Sequence, residues 1–307
     1  MKTIIYIVCF LFTASNLLGQ TDPMYSQYTF NLLAVNPAYA GNREAVGLNL
    51  VKRNQWTGLD GAPQTTSLSL DGRLLNGKVG LGLQFYDDQL GIEKAQGFNV
   101  SVSTTVMLSE KAQLSGGLQF GMMNYKANLT DVANRFTATD VVFAQNYNKW
   151  LPSIGMGLYY NTESFYTGIS IPDVMLNRLT AFDLVTSGVK NTNNMHVFYI
   201  LGNIFKLDNE TKLKSSLLIK MVAGAPTQYD FNEMVYVKSL IGLGVSYRLE
   251  HSFVYMLDLP LTKNLRLGYS YDLAASDTKL YLQPTHEFML KFEVSKDKSK
   301  IKSDRFF

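Results

Sequence analysis

The sequence predicts an all-β protein: a transmembrane antiparallel β-barrel of about 14 strands, preceded by an N-terminal segment that is a plug or a periplasmic segment. Two observations carry this prediction. From Ala45 onward, segments of roughly ten residues alternate apolar and polar side chains. Tight turns and longer connections also alternate along the chain, as in bacterial outer-membrane barrels. No apolar run after residue 20 is long enough for a spanning helix, so this chain would cross a membrane only as a closed barrel.

The composition agrees with a barrel in lipid. Charged residues are 17% of the 307 residues, and Tyr and Phe number 18 each. Low charge with many aromatic side chains suits a lipid-facing belt with aromatic girdles at both rims. The net charge of +3 is too small to indicate a nucleic-acid partner. Residues 291–307 hold six Lys or Arg and three acids, so the basic surplus belongs to the tail.

The first 19 residues have the features of a secretory signal peptide. Lys2 precedes an apolar run from Ile4 to Leu18, and Gly19 is a small residue suited to cleavage. A membrane anchor is the alternative, but the run is shorter than the ~20 residues of a spanning helix. Cys9, the only cysteine, would leave with this peptide, so we expect a mature protein without thiols in an oxidising compartment.

Residues 20–44 are predicted to form a short ordered segment. Pro23 can begin a helical turn, apolar and aromatic residues recur at near-helical spacing, and Asn36-Pro37 should stop any helix. The segment would fill the lumen as a plug or meet other proteins as a periplasmic ledge. A 14-stranded barrel is wider than its own side chains fill, which favours the plug. The candidate plug residues are Tyr25, Gln27, Tyr28, Asn31, Asn36 and Tyr39.

The barrel is predicted over residues 45–294. Leu68 and Leu70 face one side of their segment while Ser69 and Asp71 face the other; a soluble sandwich would show the same alternation around a core. The weakest strand, 228–237, is retained because a barrel with both termini on one side needs an even number of strands. The predicted strands are 46–52, 66–71, 78–88, 96–108, 112–126, 152–162, 164–171, 196–207, 212–222, 228–237, 239–249, 252–260, 264–272 and 286–294.

The connections fall into two groups. The tight turns are 75–78, 109–111, 162–164, 208–210 and 262–264, and the long connections are 54–64, 87–95, 127–151, 172–195 and 273–285. A sandwich gives no reason for this sorting, which therefore favours the membrane barrel. The tail, residues 295–307, is expected to be a basic, solvated periplasmic end, although its terminal Phe306-Phe307 leaves docking as an alternative.

No constellation of residues indicates catalysis. His196, His251 and His286 are the only histidines, and zinc, calcium, nucleotide and serine-hydrolase motifs are missing from the sequence. We therefore expect no enzyme activity, no cofactor and no metal site. An outer-membrane hydrolase would need a Ser–His pair across neighbouring strands.

Aromatic and basic residues in the predicted loops are the candidates for partner binding. They are Arg53, Gln55, Trp56, Arg135 and Trp150. Arg and Trp are frequent binding anchors, and the loops 127–151 and 172–195 would stand on the cell exterior. Trp at a bilayer interface is the alternative interpretation.

Several stretches together resemble one known family. The run from Asp22 to Asn31 (DPMYSQYTFN), followed by NPAYAG at 36–41, is similar to the N-terminal signature of the PorP/SprF family, outer-membrane proteins of the type IX secretion system of Bacteroidetes. Later landmarks occur in the family's order: RNQWTG at 53–58, GAPQT at 61–65, GAP at 224–226, GYSYD at 268–272 and HE at 286–287.

The resemblance implies an outer-membrane component that helps to secrete or anchor large cell-surface proteins, such as gliding adhesins. The implied partners are a secreted protein with a C-terminal sorting domain, other type IX secretion proteins including the translocon, and outer-membrane lipid. An alternative is a barrel like the fourteen-stranded fatty-acid transporters, which passes a hydrophobic solute. A packed lumen would favour the first function, and an open lumen or a lateral gap in the wall would favour the second.

Overall fold

The structure is a computed structural model that describes residues 25–43, 45–74, 78–131, 145–174, 195–222, 225–238, 240–275 and 283–294. Fourteen antiparallel strands form one closed barrel, in which sequence neighbours pair and β1 pairs with β14. The strands are β1 (Val46–Asn54), β2 (Gln64–Leu74), β3 (Val79–Leu90), β4 (Glu93–Met107), β5 (Gln113–Ala127), β6 (Tyr147–Asn161), β7 (Phe165–Ile171), β8 (His196–Lys206), β9 (Thr211–Val222), β10 (Gln228–Val237), β11 (Ile241–Arg248), β12 (Ser252–Pro260), β13 (Leu265–Ala274) and β14 (Thr285–Val294).

The barrel is apolar outside and polar inside. In β1, Asn49 and Arg53 are buried towards the lumen, whereas Val46 and Leu50 are exposed on the outer face. In β14, Phe288, Leu290 and Phe292 are likewise exposed, while Met289 and Lys291 between them are turned inward. An outer belt of exposed Leu, Val and Phe suits lipid and not water, so the soluble-sandwich alternative is wrong. In the part of the chain that the structure describes, no helix has the length and apolar character to cross a membrane.

The predicted strands are all present, including the weakly patterned β10. The main error is the predicted long connection 87–95, where β3 and β4 in fact extend towards each other and leave only Gly91 and Ile92 between them. Gly91 has φ +57°, which a tight turn requires and glycine adopts without strain. β6 likewise begins earlier than predicted, at Tyr147.

The two ends of the barrel differ. At the end where β1 finishes, called the loop end, residues 55–63 form one of the longer connections. At the opposite end, called the turn end, β1 begins, β14 finishes and the connections are tight. One of these turns is closed by Asp208, whose carboxylate accepts the backbone N–H groups of Glu210 and Thr211, both at 2.7 Å. These bonds to the charged form lower the pKa of Asp208.

The chain before β1 forms three single 3₁₀ turns, Tyr28–Phe30, Leu32–Ala34 and Pro37–Tyr39. As predicted for Asn36-Pro37, the second turn ends before this pair, and the pair also starts the third turn. The Asn36 side chain accepts the Ala38 N–H at 2.9 Å and so caps the turn, and Pro37 occupies its first position, where a missing N–H costs nothing.

Candidate functional site

Residues 25–43, called the luminal segment, pass through the inside of the barrel. Tyr28, Leu33 and Ala38 are at most 1% exposed and belong to one buried cluster with side chains of the wall. The third 3₁₀ turn contacts β4, β5 and β6. The six candidate plug residues lie in this segment: Tyr25 is half-buried, and Gln27, Tyr28, Asn31, Asn36 and Tyr39 are buried. That the segment closes the lumen to solutes stays a prediction.

The luminal segment runs from the loop end to the turn end. Near its start, the backbone N–H groups of Ser26 and Gln27 donate to the Glu287 carboxylate at 2.9 and 2.8 Å. Glu287 is the third residue of β14 and lies at the loop end. Near its finish, Arg43 donates to Glu293 at 2.8 Å, at the turn end of the same strand. The chain therefore descends the lumen before it enters β1.

An outer ion cluster holds the start of the segment. It consists of Arg53, Asp230, Arg248, Asp272 and Glu287, all buried. The Arg53 guanidinium lies 3.1 Å from Glu287 and 3.2 Å from Asp272, and it donates to the Ser26 hydroxyl at 2.7 Å. Arg248 continues the cluster to Asp230 at 3.2 Å and to Asp272 at 3.4 Å. Each of the two guanidinium groups thus contacts two carboxylates, so every charge in the cluster has a buried partner of opposite sign.

A turn-side ion cluster holds the other end of the segment. It consists of Arg43, Asp71, Lys291 and Glu293. Arg43 bridges Asp71 of β2 and Glu293 of β14, at 3.6 and 2.8 Å, and Lys291 also reaches Glu293 at 3.0 Å. Because Arg43 belongs to the luminal segment and its partners to the wall, this cluster joins the segment directly to both neighbours of β1.

Between the two clusters the segment packs through apolar and aromatic side chains. Tyr28, Leu33 and Val35 belong to one core with Tyr159, Tyr166, Ile200 and Leu218 of the wall. Tyr39 meets Tyr159 edge-on, with ring centroids 5.4 Å apart. Such a pair adds about 0.5–1.5 kcal/mol to the effect of burial. A ligand entering this part of the lumen would have to displace well-packed protein.

Glycines in the wall make this close packing possible. A Cβ atom on Gly117 would collide with the backbone of Ala38, and one on Gly157 would collide with the Asn36 amide. Asn36 in turn donates to the carbonyl oxygen of Leu158 at 2.9 Å. The neighbouring Gly116 is different, since a Cβ there would meet only a Leu158 methyl group at 3.7 Å. The glycines at positions 117 and 157 therefore leave the space that Ala38 and Asn36 of the luminal segment occupy.

The outer wall carries two apolar grooves. The larger, of about 810 Å³, crosses β3 to β7 and has Leu118, Phe120 and Met156 among its lining residues. The smaller, of about 360 Å³, lies between Trp150, Phe85 and Phe98. Both lie among exposed apolar side chains, so acyl chains of the bilayer are suited to fill them. Among the described residues, His, Cys, Asp and Glu form no group that could hold a metal ion.

The family of the chain follows from its sequence. The model of the PorP/SprF family, described as a type IX secretion system membrane protein, matches residues 17–292. The chain belongs to the PorP/SprF family. This PorP/SprF protein is accordingly an outer-membrane β-barrel of the type IX secretion system, and other components of that system are its partners.

Solved structures that resemble this PorP/SprF protein are also barrels. The CymD monoaromatic hydrocarbon channel has 10% identity and a TM-score of 0.49, with 90% of this chain and 94% of that chain covered. A Pseudomonas aeruginosa FadL homologue has 10% identity, a TM-score of 0.47 and coverages of 90% and 95%. Omp33 of Acinetobacter baumannii has 8% identity, a TM-score of 0.44 and coverages of 81% and 99%. Similarity of this degree gives no information on ligands. No curated protein matches the chain.

The predicted partner-binding residues of this PorP/SprF barrel lie in different settings. Arg53 was assigned to a surface loop, and that assignment is wrong: β1 continues to Asn54, and Arg53 points into the outer ion cluster with 2% of its side chain exposed. Gln55 and Trp56 are half-buried in the connection 55–63, and the Trp56 N–H donates to the Thr285 hydroxyl at 3.2 Å. Trp150 is 61% exposed, but it lies on β6 and not in a loop. Arg135 lies outside the described residues.

The sequence interpretation missed the charged residues that hold the luminal segment. Glu287 and Asp272 stood within the family landmarks HE and GYSYD, but no role was assigned to them. Asp230, Arg248 and Glu293 were not singled out. A signal was available: a charged residue on the polar face of a barrel strand points into the lumen, where it requires a partner.

Proposed function

We propose that this PorP/SprF barrel acts in type IX secretion as a scaffold that recognises, without covalent chemistry, the sorting domain of secreted cell-surface proteins or the translocon. The observation that carries the proposal is the luminal segment inside the barrel, which two buried ion clusters hold at both ends. A barrel filled in this way is suited to present a rigid outer surface and not to conduct a large substrate. Loops on a rigid scaffold are common sites of recognition.

The loop end is the natural recognition surface. Long connections leave the wall there, and Gln55 and Trp56 lie on one of them. Trp56 is held in a left-handed backbone conformation, with φ 45°, which is unfavourable for a large side chain and is found at functional sites more often than elsewhere. Its backbone bond to Thr285 ties this connection to β14. We therefore include Trp56 among the residues that contact a partner.

The proposal is tested by deleting the gene and comparing cell-surface and released proteins by quantitative mass spectrometry. We expect a defined set of proteins to be lost from the surface and recovered by complementation. A Trp56→Gly variant, which also relieves the backbone, should complement poorly although it folds, as judged by heat-modifiable migration on gels. Unchanged surface proteins in the deletion strain would contradict the proposed function.

Passage of a hydrophobic solute is the second candidate. The observation in its favour is that β7 is the shortest strand in the described part of the wall. The packed core around Leu33 and Tyr159 opposes it, because the luminal segment occupies space that a solute would need. Uptake of a radiolabelled long-chain fatty acid by vesicles containing the purified barrel distinguishes the two: the scaffold predicts no more uptake than empty vesicles show.

A further inference from the structure

Among the strands that the structure describes, one is markedly shorter than its two neighbours. β7 has 7 residues, whereas β6 on one side has 15 and β8 on the other has 11. A tilted strand needs about 9–11 residues to cross the apolar layer of an outer membrane. The ladder between β6 and β7 ends where Met156 pairs with Ile171. Residues 147–155 of β6 therefore continue towards the loop end beyond the reach of β7.

The chain that follows β7 turns towards the lumen. The Pro172 carbonyl accepts the Gln119 side-chain N–H at 3.0 Å on the inner face of β5, and the Pro172 backbone occupies the space where a Cβ of Gly155 would stand. The Val174 N–H then donates to the Ile154 carbonyl at 2.6 Å. Within the described ranges 145–174 and 195–222, no strand pairs with this side of β6 between Tyr147 and Ser153.

The unpaired edge has a defined set of backbone groups. On this side of β6, Ile154 accepts from Val174, and Thr162, just past the strand, donates to Phe165. Successive residues of a strand alternate their hydrogen bonds between its two sides, so even-numbered residues face β7 and its extension. Asn148, Trp150 and Pro152 accordingly direct their backbone groups to the unpaired edge. Pro152 has no N–H, and proline within sheets is confined to such edges.

We propose that this edge of β6, residues 147–153, binds an extended segment of a secreted polypeptide as an additional antiparallel or parallel strand. The inference rests on the proposed function and specifies where and how the partner is held. Addition of a strand to an open edge supplies backbone hydrogen bonds for affinity and alternating side-chain contacts for specificity. The carbonyl oxygens of Asn148, Trp150 and Pro152 and the N–H groups of the first two are the groups that the partner strand pairs with.

The side chains along the edge indicate the chemistry of the partner. Lys149 is exposed on the lumen side, with its ammonium group 5.1 Å from the centroid of the Tyr147 ring. Trp150 is exposed on the outer side. The edge is therefore complementary to a strand that alternates acidic residues, which face Lys149, with apolar residues, which face Trp150.

Proline substitution tests the backbone contact. Trp150→Pro removes one edge N–H and obstructs a pairing strand, while Trp150→Ala removes the side chain and keeps the N–H. Both variants should fold, because the barrel's own ladder with β5 uses odd-numbered residues at this point. In cells with the proline variant, we expect the export of proteins that depend on this barrel to be about fivefold lower than in cells with the alanine variant. Equal export by the two variants would overturn the proposal.

Photo-crosslinking identifies what occupies the edge. p-Benzoyl-phenylalanine at position 150 should crosslink to the same dependent proteins in living cells, and the control at Tyr255, exposed on the outer wall at β12, should not. A crosslink confined to the barrel's own chain would show that the edge is covered from within and would overturn the proposal. If deletion of the gene leaves all surface proteins unchanged, both the proposed function and this inference fail. If the deletion does remove surface proteins but the edge variants export them normally, only this inference fails.

Discussion

The Arg53 guanidinium of the first strand lies 3.1 Å from the Glu287 carboxylate of the last strand, and the same carboxylate accepts two backbone N–H groups of the luminal segment. One buried pair thus joins the two strands that close the barrel and the chain that fills it. Because all three parts meet at Glu287, the charge on Arg53 supports both the pairing of the first and last strands and the attachment of the luminal segment.

Replacing Arg53 with Met should destabilise the barrel strongly. The substitution leaves Glu287 and Asp272 buried without their shared cation, and breaking a buried pair costs about 3–5 kcal/mol. Urea unfolding in detergent micelles, followed by tryptophan fluorescence and gel migration, measures this loss. Lys238→Ala is the matched control, since its pair with Glu210 is exposed and should contribute less than about 1 kcal/mol. Equal losses for both variants would contradict the assigned role of Arg53.

Removal of residues 25–41 should open the barrel. In planar bilayers we expect the intact protein to be electrically silent and the deletion variant to form large, steady pores, because a barrel of 14 strands is wider than its own side chains fill. Similar conductance for both forms would show that the luminal segment is no plug, and solute transport would then become the better hypothesis.

Two adjacent glycines provide a finer test of the same packing. Gly117→Ala places a methyl group against the backbone of Ala38 and should displace the third 3₁₀ turn, whereas Gly116→Ala meets only a Leu158 methyl group at 3.7 Å. We expect the first variant to lose stability, by about 1–3 kcal/mol as in other overpacked sites, and to show intermittent channel openings. The second variant should behave as the parent protein does. Identical behaviour of the two variants would mean that the turn is not packed against β5.

The setting of Trp150 can be measured directly. The chain has two Trp residues, so a Trp56→Phe variant reports on Trp150 alone. Because this side chain is 61% exposed beside Phe85 and Phe98, and an open strand edge cannot lie in the hydrocarbon layer, we expect Trp150 at the membrane interface, where lipids brominated near the headgroup should quench its fluorescence in vesicles. Quenching by aqueous iodide in place of brominated lipid would locate Trp150 above the membrane.

The strand pattern was predictable because lipid and lumen impose opposite demands on alternate residues. Leu68 and Leu70 against Ser69 and Asp71 show this clearly, and the closed barrel uses them in that way. The pattern fails near the loop end: Asp87 and Asp88 are polar on both faces, so they resemble a loop although β3 continues through them to Leu90. Outside the hydrocarbon layer of the membrane, a strand can keep its backbone hydrogen bonds to its neighbours without an apolar outer face.

The contacts of the luminal segment were not predictable from the sequence. Arg53 and Glu287 are neighbours only because the barrel closes between β1 and β14, and their separation along the chain gives no sign of it. Arg53 instead resembled part of the exposed loop that begins two residues later. That no described strand pairs with the β7 side of residues 147–153 was likewise hidden, since it depends on where β7 stops; Pro152, which lacks an N–H, is the sequence feature that agrees with it.

The path of the luminal segment also constrains the order of assembly. A chain that passes through a closed ring cannot enter it from the side, so either the ring forms around the chain or the chain is drawn in lengthwise. Ser26 and Gln27 bind the last strand, and Arg43 binds both strands that flank the first. The segment therefore lies where the last strand must pair with the first, and it can serve as a template for the closure of the barrel.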